Sequence, residues 1–182
     1  MVQAGSMGVP YVPVRGFSGT DIVERRSDTF KIEPNPFEQQ ETYVVAKAIN
    51  PDVGIFHGLK ADKFGNVVVR KGGDELMLAQ SAGKVIVTVE EIVDTVDPDD
   101  TDGWVIPSIH VTAVVHAPFG AYPTAAPGYY SADNDQLQEY VDAAQSEETF
   151  KNYINKYVHN VSSHEDFLKL VELTPTRELI NA

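Results

Sequence analysis

Hydrophobic positions in this chain fall into short runs separated by glycine, proline and acidic turns, and their period changes near the C-terminus. Residues 42–49 are rich in β-branched side chains, and a second apolar run, 53–59, ends a turn later. Val67, Val68 and Val69 return after the turn-forming stretch 60–66, so three strands are predicted. Residues 74–82 carry Asp74 at the start, helix formers inside and Gly83 just past the end, the terminal signals of a short helix. Residues 84–89 (KVIVTV) show little polar alternation, which predicts a strand buried on both faces. Residues 109–115 read as a further strand. The period then becomes helical over 134–144, 147–158 and 164–173. In the middle segment Phe150, Tyr153, Ile154, Tyr157 and Val158 share one face. A strand–helix–strand series followed by helices predicts an α/β fold with an open, mostly parallel sheet. We read residues 1–182 as one domain, with 134–182 as a C-terminal helical cap.

Two stretches lack any period. Residues 15–40, punctuated by Gly16, Gly19, Pro34 and Pro36, read as a long functional or partner-binding loop. Residues 118–133 form a second loop, rich in tyrosine, proline and glycine. The acidic stretch 96–103 lacks the spacing and terminal Glu of a calcium loop and reads as a solvated turn.

Composition narrows the function. Against 14 basic residues stand 27 acidic ones, a net charge of −13. That disfavours nucleic acid and anionic membrane surfaces as partners, since both require a basic face. It leaves room for a small anion focused at one site. The absence of cysteine removes disulfides, thiolate metal sites and a Cys nucleophile. No apolar run is long enough to span a membrane, and the first ten residues lack the pattern of a secretion signal, so a cytoplasmic location is expected.

Candidate chemistry is sparse. Ser18 sits in Gly16-Phe17-Ser18-Gly19-Thr20, where Thr20 occupies the position at which a nucleophile elbow requires Gly. His110 and His116, placed on one predicted strand, are separated by about 20 Å at the usual rise, too far to share a metal. They and His159 and His164 read as structural or surface histidines. Gly72-Gly73 before a helix reads either as an anion-binding nest or as a plain turn. Glu90 and Glu91 follow the predicted buried strand at its carboxyl end, where open α/β sheets bind ligands. A solvent-facing pair that starts a loop is the competing reading.

Several segments, in order, resemble one family, the A subunits of family I coenzyme A transferases of the glutaconate type. They are Gly8 to Val14 with Phe17-Ser18-Gly19-Thr20-Asp21, Asn35-Pro36-Phe37, Ile55-Phe56-His57-Gly58 with Ala61 to Asn66, Val85 to Val93, and Ile106 to Val115 with Ala117-Pro118-Phe119-Gly120-Ala121. The chain departs from that family in lacking its N-terminal glycine-rich GGF region. Thr112 stands where Asp is usual and Tyr122 where His is frequent.

The resemblance implies a fold of the CoA-transferase/phosphosugar-isomerase kind and a two-subunit, ping-pong enzyme. In such an enzyme the nucleophile is a glutamate of the B-type subunit. It attacks the acyl-CoA and carries CoA to a dicarboxylate or 3-oxoacid, an instance of covalent catalysis. Nothing here matches the segment that bears this nucleophile, so Glu90 and Glu91 are not assigned to it. By the resemblance, Phe17, Ser18, Gly19 and Thr20 with Phe119, Gly120, Ala121 and Tyr122 line the acid-binding side of the pocket. Coenzyme A is then a substrate, with no permanent cofactor or metal. A B-type subunit is the expected partner, with a separate N-terminal fragment as a further one. The alternatives are one component of a CoA-thioester or ring-cleaving hydrolase of the same fold, a phosphosugar isomerase, and a non-catalytic assembly subunit.

Overall fold

In the computed structural model, which describes residues 1–38, 40–99 and 102–173, the chain forms two compact units. One comprises Met1–Ile55, Gly72–Ile86 and Ile109–Thr112. The other comprises Phe56–Lys71, Val87–Ser108 and the chain from Ala113 onward. Parts of the acidic loop (100–101) and of the expected cap (174–182) lie outside the described residues.

The first unit opens with α1 (Val2–Ser6) and β1 (Tyr11–Val14). The segment read as one long loop contains a helical turn, α2 (Ile22–Arg25), and a strand, β2 (Phe30–Pro34). Both β1 and β2 pair antiparallel with β3 (Thr42–Lys47), giving the order β1-β3-β2. Only Phe30 of β2 is buried, so the strand has a single inward side chain and almost no pattern to read. Pro34 is tolerated because β2 is an edge strand. Val23, Phe30, Val44 and Ala46 form the local core, with Met1, Val12, Val14 and Ile22 packed on it. In α3 (Glu75–Ser81) the side chain of Asp74 makes no capping hydrogen bond, and Ala82 rather than a left-handed glycine ends the helix. The Gly83 amide donates instead to the carbonyl of Pro51.

A five-stranded sheet follows the order β7-β5-β4-β6-β8, with β4 Val53–Asp62, β5 Val67–Val69, β6 Lys84–Val93, β7 Trp104–Ile106 and β8 Ala113–His116. The pairs β4–β5 and β5–β7 are antiparallel. Along β4 and β6 the numbering rises together, since the Lys84 amide bonds Asp52 and His57 meets Thr88. The same holds for β6 and β8, where Thr112 bonds Val85 and Ala117 bonds Val89. The sheet is therefore mixed, and its parallel part is β4-β6-β8.

Strand β6 is interior, as expected, but it is not buried on both faces. Val85, Val87 and Val89 are buried, whereas Ile86 is exposed and Thr88 is half-buried. The apolar run hid an alternation in which Ile86 faces outward. The strand predicted over 109–115 is also corrected. Ser108–His110 is a 3₁₀ turn, begun where the Ser108 amide donates to the Asn66 side chain. His110 and His116 thus do not share a strand.

The three C-terminal helices are present as α4 (Asn134–Ala143), α5 (Glu147–Ile154, continued by a π-helical turn, Asn155–His159) and α6 (His164–Leu170). Asp133, Ser146 and Ser163 each cap their helix by accepting from the amide three residues on. Tyr140 packs edge-on against Phe150 and Tyr153, joining α4 to α5.

Candidate functional site

The carboxylate of Glu90 organises the second unit. Strand β6 runs on to Val93 rather than ending at Val89, so Glu90 lies within it and not at the start of a loop. Its side chain is only 3% exposed, which removes the solvent-facing reading of that residue. Three donors converge on it. His57 Nε2 lies 2.6 Å from Oε1, the Tyr130 hydroxyl donates to Oε1 at 2.6 Å, and the Phe119 amide donates to Oε2 at 2.6 Å. An ionised carboxylate can only accept. Network logic therefore places a proton on His57 Nε2, and in the neutral ring Nδ1 accepts from the Thr88 hydroxyl at 2.7 Å. Burial pushes the Glu90 carboxyl up, but hydrogen bonds from His57, Tyr130 and Phe119 outweigh it and hold the group below the usual range. His116 adds a bond from Nε2 to the Glu90 carbonyl at 3.1 Å.

This anchor fixes the segment that follows β8. Phe119 has φ 59°, a left-handed conformation that is costly for a bulky residue and persists only where its surroundings hold it. Its amide is held by Glu90, and its ring lies 4.9 Å from that of Tyr130. A Cβ on Gly120 would come within 2.7 Å of the His57 ring and of the Ala117 carbonyl, so no larger residue fits without displacing the anchor. Tyr130 bridges, accepting from the Ala121 amide at 3.0 Å while donating to Glu90. The Gly120 and Tyr122 amides close on Ala117 and Phe119. The backbone N–H groups of residues 119–122 are thus all used internally. The segment offers a rigid wall of side chains and carbonyls rather than an oxyanion cradle.

The neighbouring tyrosines extend the clamp. Tyr129 donates to Glu91 at 3.0 Å, and Tyr122 donates to Asp133 at 2.7 Å. Burial first, then the adjacent carboxylate, pushes all three phenols (Tyr122, Tyr129, Tyr130) above their ordinary range, so they act as donors at neutral pH. The polar end of Tyr122 is therefore already engaged with the N-cap of α4. His164 Nε2 reaches the Pro118 carbonyl at 2.7 Å, and Phe167 lies edge-on to Tyr122 at 6.1 Å.

The other four candidates lie in the first unit. Phe17 also has a positive φ, 69°, with its ring 5.0 Å from Phe30. The amide and hydroxyl of Thr20 close the turn onto the Phe17 carbonyl at 3.1 and 2.7 Å. Ser18 and Gly19 are exposed at its tip. A groove of about 870 Å³ in the same unit, walled by Tyr11, Phe37 and Tyr43 and crossed by Lys31 and Lys47, contains none of these residues. Among the described residues no group of three or more His, Asp or Glu is placed to hold a metal ion. No described helix is long and apolar enough to cross a membrane.

Sequence reasoning did not find His57, Thr88 or Tyr130 as members of the site. The available signal was positional: His57 and Glu90 lie on adjacent parallel strands, and Tyr130 stands in a loop with tyrosines to spare.

Comparison with known proteins gives a consistent result. Residues 1–117 match the family model described as Coenzyme A transferase. The chain is 33% identical over 171 residues to the A subunit of the 3-oxoadipate CoA-transferase of Pseudomonas knackmussii, covering 90% of this chain and 57% of that one. It is 30% identical over 193 residues to the A subunit of the glutaconate CoA-transferase of Acidaminococcus fermentans, covering 96% and 59% respectively. It superposes on the crystal structure of the latter organism's glutaconate coenzyme A-transferase with a TM-score of 0.85, over 96% of this chain and 60% of that chain. The chain therefore spans less than two thirds of the length of these relatives.

Proposed function

We propose that this chain, which belongs to the coenzyme A transferase family, acts as the A-type half of a CoA-transferase, shaping the acid-binding side of a centre whose nucleophile lies on a B-type subunit. The substrates are an acyl-CoA and a small carboxylic acid, a dicarboxylate or a 3-oxoacid. The observation that carries this reading is the burial of Glu90, with three short hydrogen bonds on its carboxylate. Attack on a thioester carbonyl needs an accessible carboxylate oxygen with a free lone pair directed at the carbon. Both oxygens of Glu90 accept short hydrogen bonds, and its side chain is 3% exposed. A carboxylate held in this way is a scaffold. Its lowered pKa also makes it a weak base, which speaks against a proton-abstracting role.

In this reading Phe119, Gly120 and Ala121 form a preorganised wall, and its rigidity lowers the entropic cost of holding the acid against the partner's thioester. Phe17, Ser18, Gly19 and Thr20 contribute a second, exposed turn. Reconstitution tests the proposal. This chain alone is expected to show no CoA transfer with glutaryl-, succinyl- or 3-oxoadipyl-CoA and acetate, and mixing with a B-type subunit is expected to produce turnover. Transfer by the chain alone would overturn it.

A further inference from the structure

The two carboxylate oxygens of Asp133 serve different partners. Oδ1 accepts from the Gln136 amide at 2.9 Å and caps α4, while Oδ2 accepts from the Tyr122 hydroxyl at 2.7 Å. The Asp133 amide also donates to the Pro123 carbonyl at 2.9 Å, so the start of α4 holds residues 122 and 123 through both side chain and backbone. Capping needs only one side-chain oxygen. Ser146 and Ser163 supply it to α5 and α6 with a single hydroxyl each. The second oxygen of Asp133 is the part that capping leaves unexplained.

That oxygen ties a loop side chain to a braced pair of helices. Gln136, in the first turn of α4, donates through Nε2 to the Tyr153 hydroxyl at 3.3 Å and accepts through Oε1 from the Tyr157 hydroxyl at 3.2 Å. The Gln136 amide first, then the Tyr122 hydroxyl, holds the Asp133 carboxyl below its usual range. The bond from Tyr122 is therefore charge-assisted and stronger than one between neutral groups. On the ring side, Phe167 of α6 meets Tyr122 edge-on at 6.1 Å. The segment 119–122 is thus positioned from two directions. Phe119 and Ala121 are fixed by Glu90 and Tyr130, whereas the side chain of Tyr122 is fixed by the helices.

Resting on the reading above that sets this segment against the acid, we infer that Asp133 is a positioning residue for acid selection, acting by holding the Tyr122 side chain through its second oxygen. The test uses the full chain reconstituted with a B-type subunit, as wild type, Asp133→Ser, Tyr122→Phe and the double variant. Serine keeps a capping oxygen but is too short to reach Tyr122, and phenylalanine keeps the ring while removing the same bond. Folding is checked by circular dichroism. Each single variant is expected to raise KM for the acceptor acid, acetate, by about fivefold with kcat kept within about twofold. The double variant should be no worse than either single one, since both remove one interaction. In the free chain, hydrogen exchange of the Tyr122 and Thr124 amides, which bond Phe119 and Ala121, should quicken by about fivefold in Asp133→Ser while residues 138–143 keep their protection. Turnover with unchanged KM in Asp133→Ser overturns the inference and leaves the two-subunit reading intact. So do effects of the two changes that multiply in the double variant, since Asp133 would then act without Tyr122. Faster exchange confined to 134–143 makes Asp133 a helix cap alone and also overturns it. Absence of turnover in the wild-type complex removes the two-subunit reading, and the role in acid selection falls with it.

Discussion

Two segments of this molecule turn on a phenylalanine in the left-handed region, and they are built in opposite ways. At Phe119 the conformation is imposed by a buried carboxylate, a tyrosine bridge and a glycine pressed against a histidine ring. At Phe17 it is imposed by the turn itself, through Thr20, and by one ring contact with Phe30. The first arrangement couples a loop to the interior strand of a sheet, so disturbing it costs stability and shape together. The second is local, so its side chains can change with little effect on the fold. The first segment is rigid through long-range bonds, and the second is closed by its own turn.

The largest effect that could break this contrast comes from Glu90→Ala. It leaves the Phe119 amide, the Tyr130 hydroxyl and the His57 ring without their acceptor, and a few such losses amount to about 3–5 kcal/mol in urea unfolding. A loss below about 1 kcal/mol would show that the clamp is not structural. The contribution of Glu90 also depends on pH. Its pKa is depressed in the folded state, so its stabilisation is fully present above the unfolded value of about 4.3. It is lost as pH falls through the folded value. The stability gap between wild type and Glu90→Gln should therefore be constant at neutral pH and narrow only below about pH 4.

Gly120→Ala comes next. A methyl group there meets His57 and the Ala117 carbonyl, which should cost about 1–3 kcal/mol and raise KM for the acid in the reconstituted enzyme more than it lowers kcat. Tyr130→Phe removes one donor to Glu90 and the acceptor for Ala121, and is expected to cost about 1–2 kcal/mol in thermal or urea unfolding. Ser18→Ala, at the exposed tip of the other turn, should leave stability within about 0.5 kcal/mol. Any change it causes should appear in KM for the acid. A Ser18 variant that destabilised as much as Tyr130→Phe would erase the distinction between the two segments.

The regular parts of this arrangement were readable in the sequence. The strands at 42–47, 67–69 and 84–89, the helix before Gly83 and the three C-terminal helices follow from β-branched runs, period and turn residues, and the ordered motifs carried the family; the run of β6 on to Val93 did not show. Strand β2 was not readable, because a strand with a single buried side chain leaves no alternation to detect. The outward face of Ile86 was concealed in the same way, by an apolar residue that points away from the core. The clamp lay beyond reach for a different reason. His57, Phe119 and Tyr130 stand 29 to 40 positions from Glu90, and only the parallel pairing of β4, β6 and β8 brings them together. A carboxylate pair at the end of an apolar run looks the same in sequence whether it faces water or anchors a loop.

The division of labour is tested most directly by finding which chain carries the covalent intermediate. The reconstituted enzyme is incubated with acyl-CoA, treated with borohydride or hydroxylamine, and both subunits are weighed intact by mass spectrometry. The account predicts that the modification falls on a glutamate of the B-type subunit, with this chain at its unmodified mass in both the wild type and Glu90→Gln. A modified Glu90, or trapping abolished on this chain by Glu90→Gln, would contradict it.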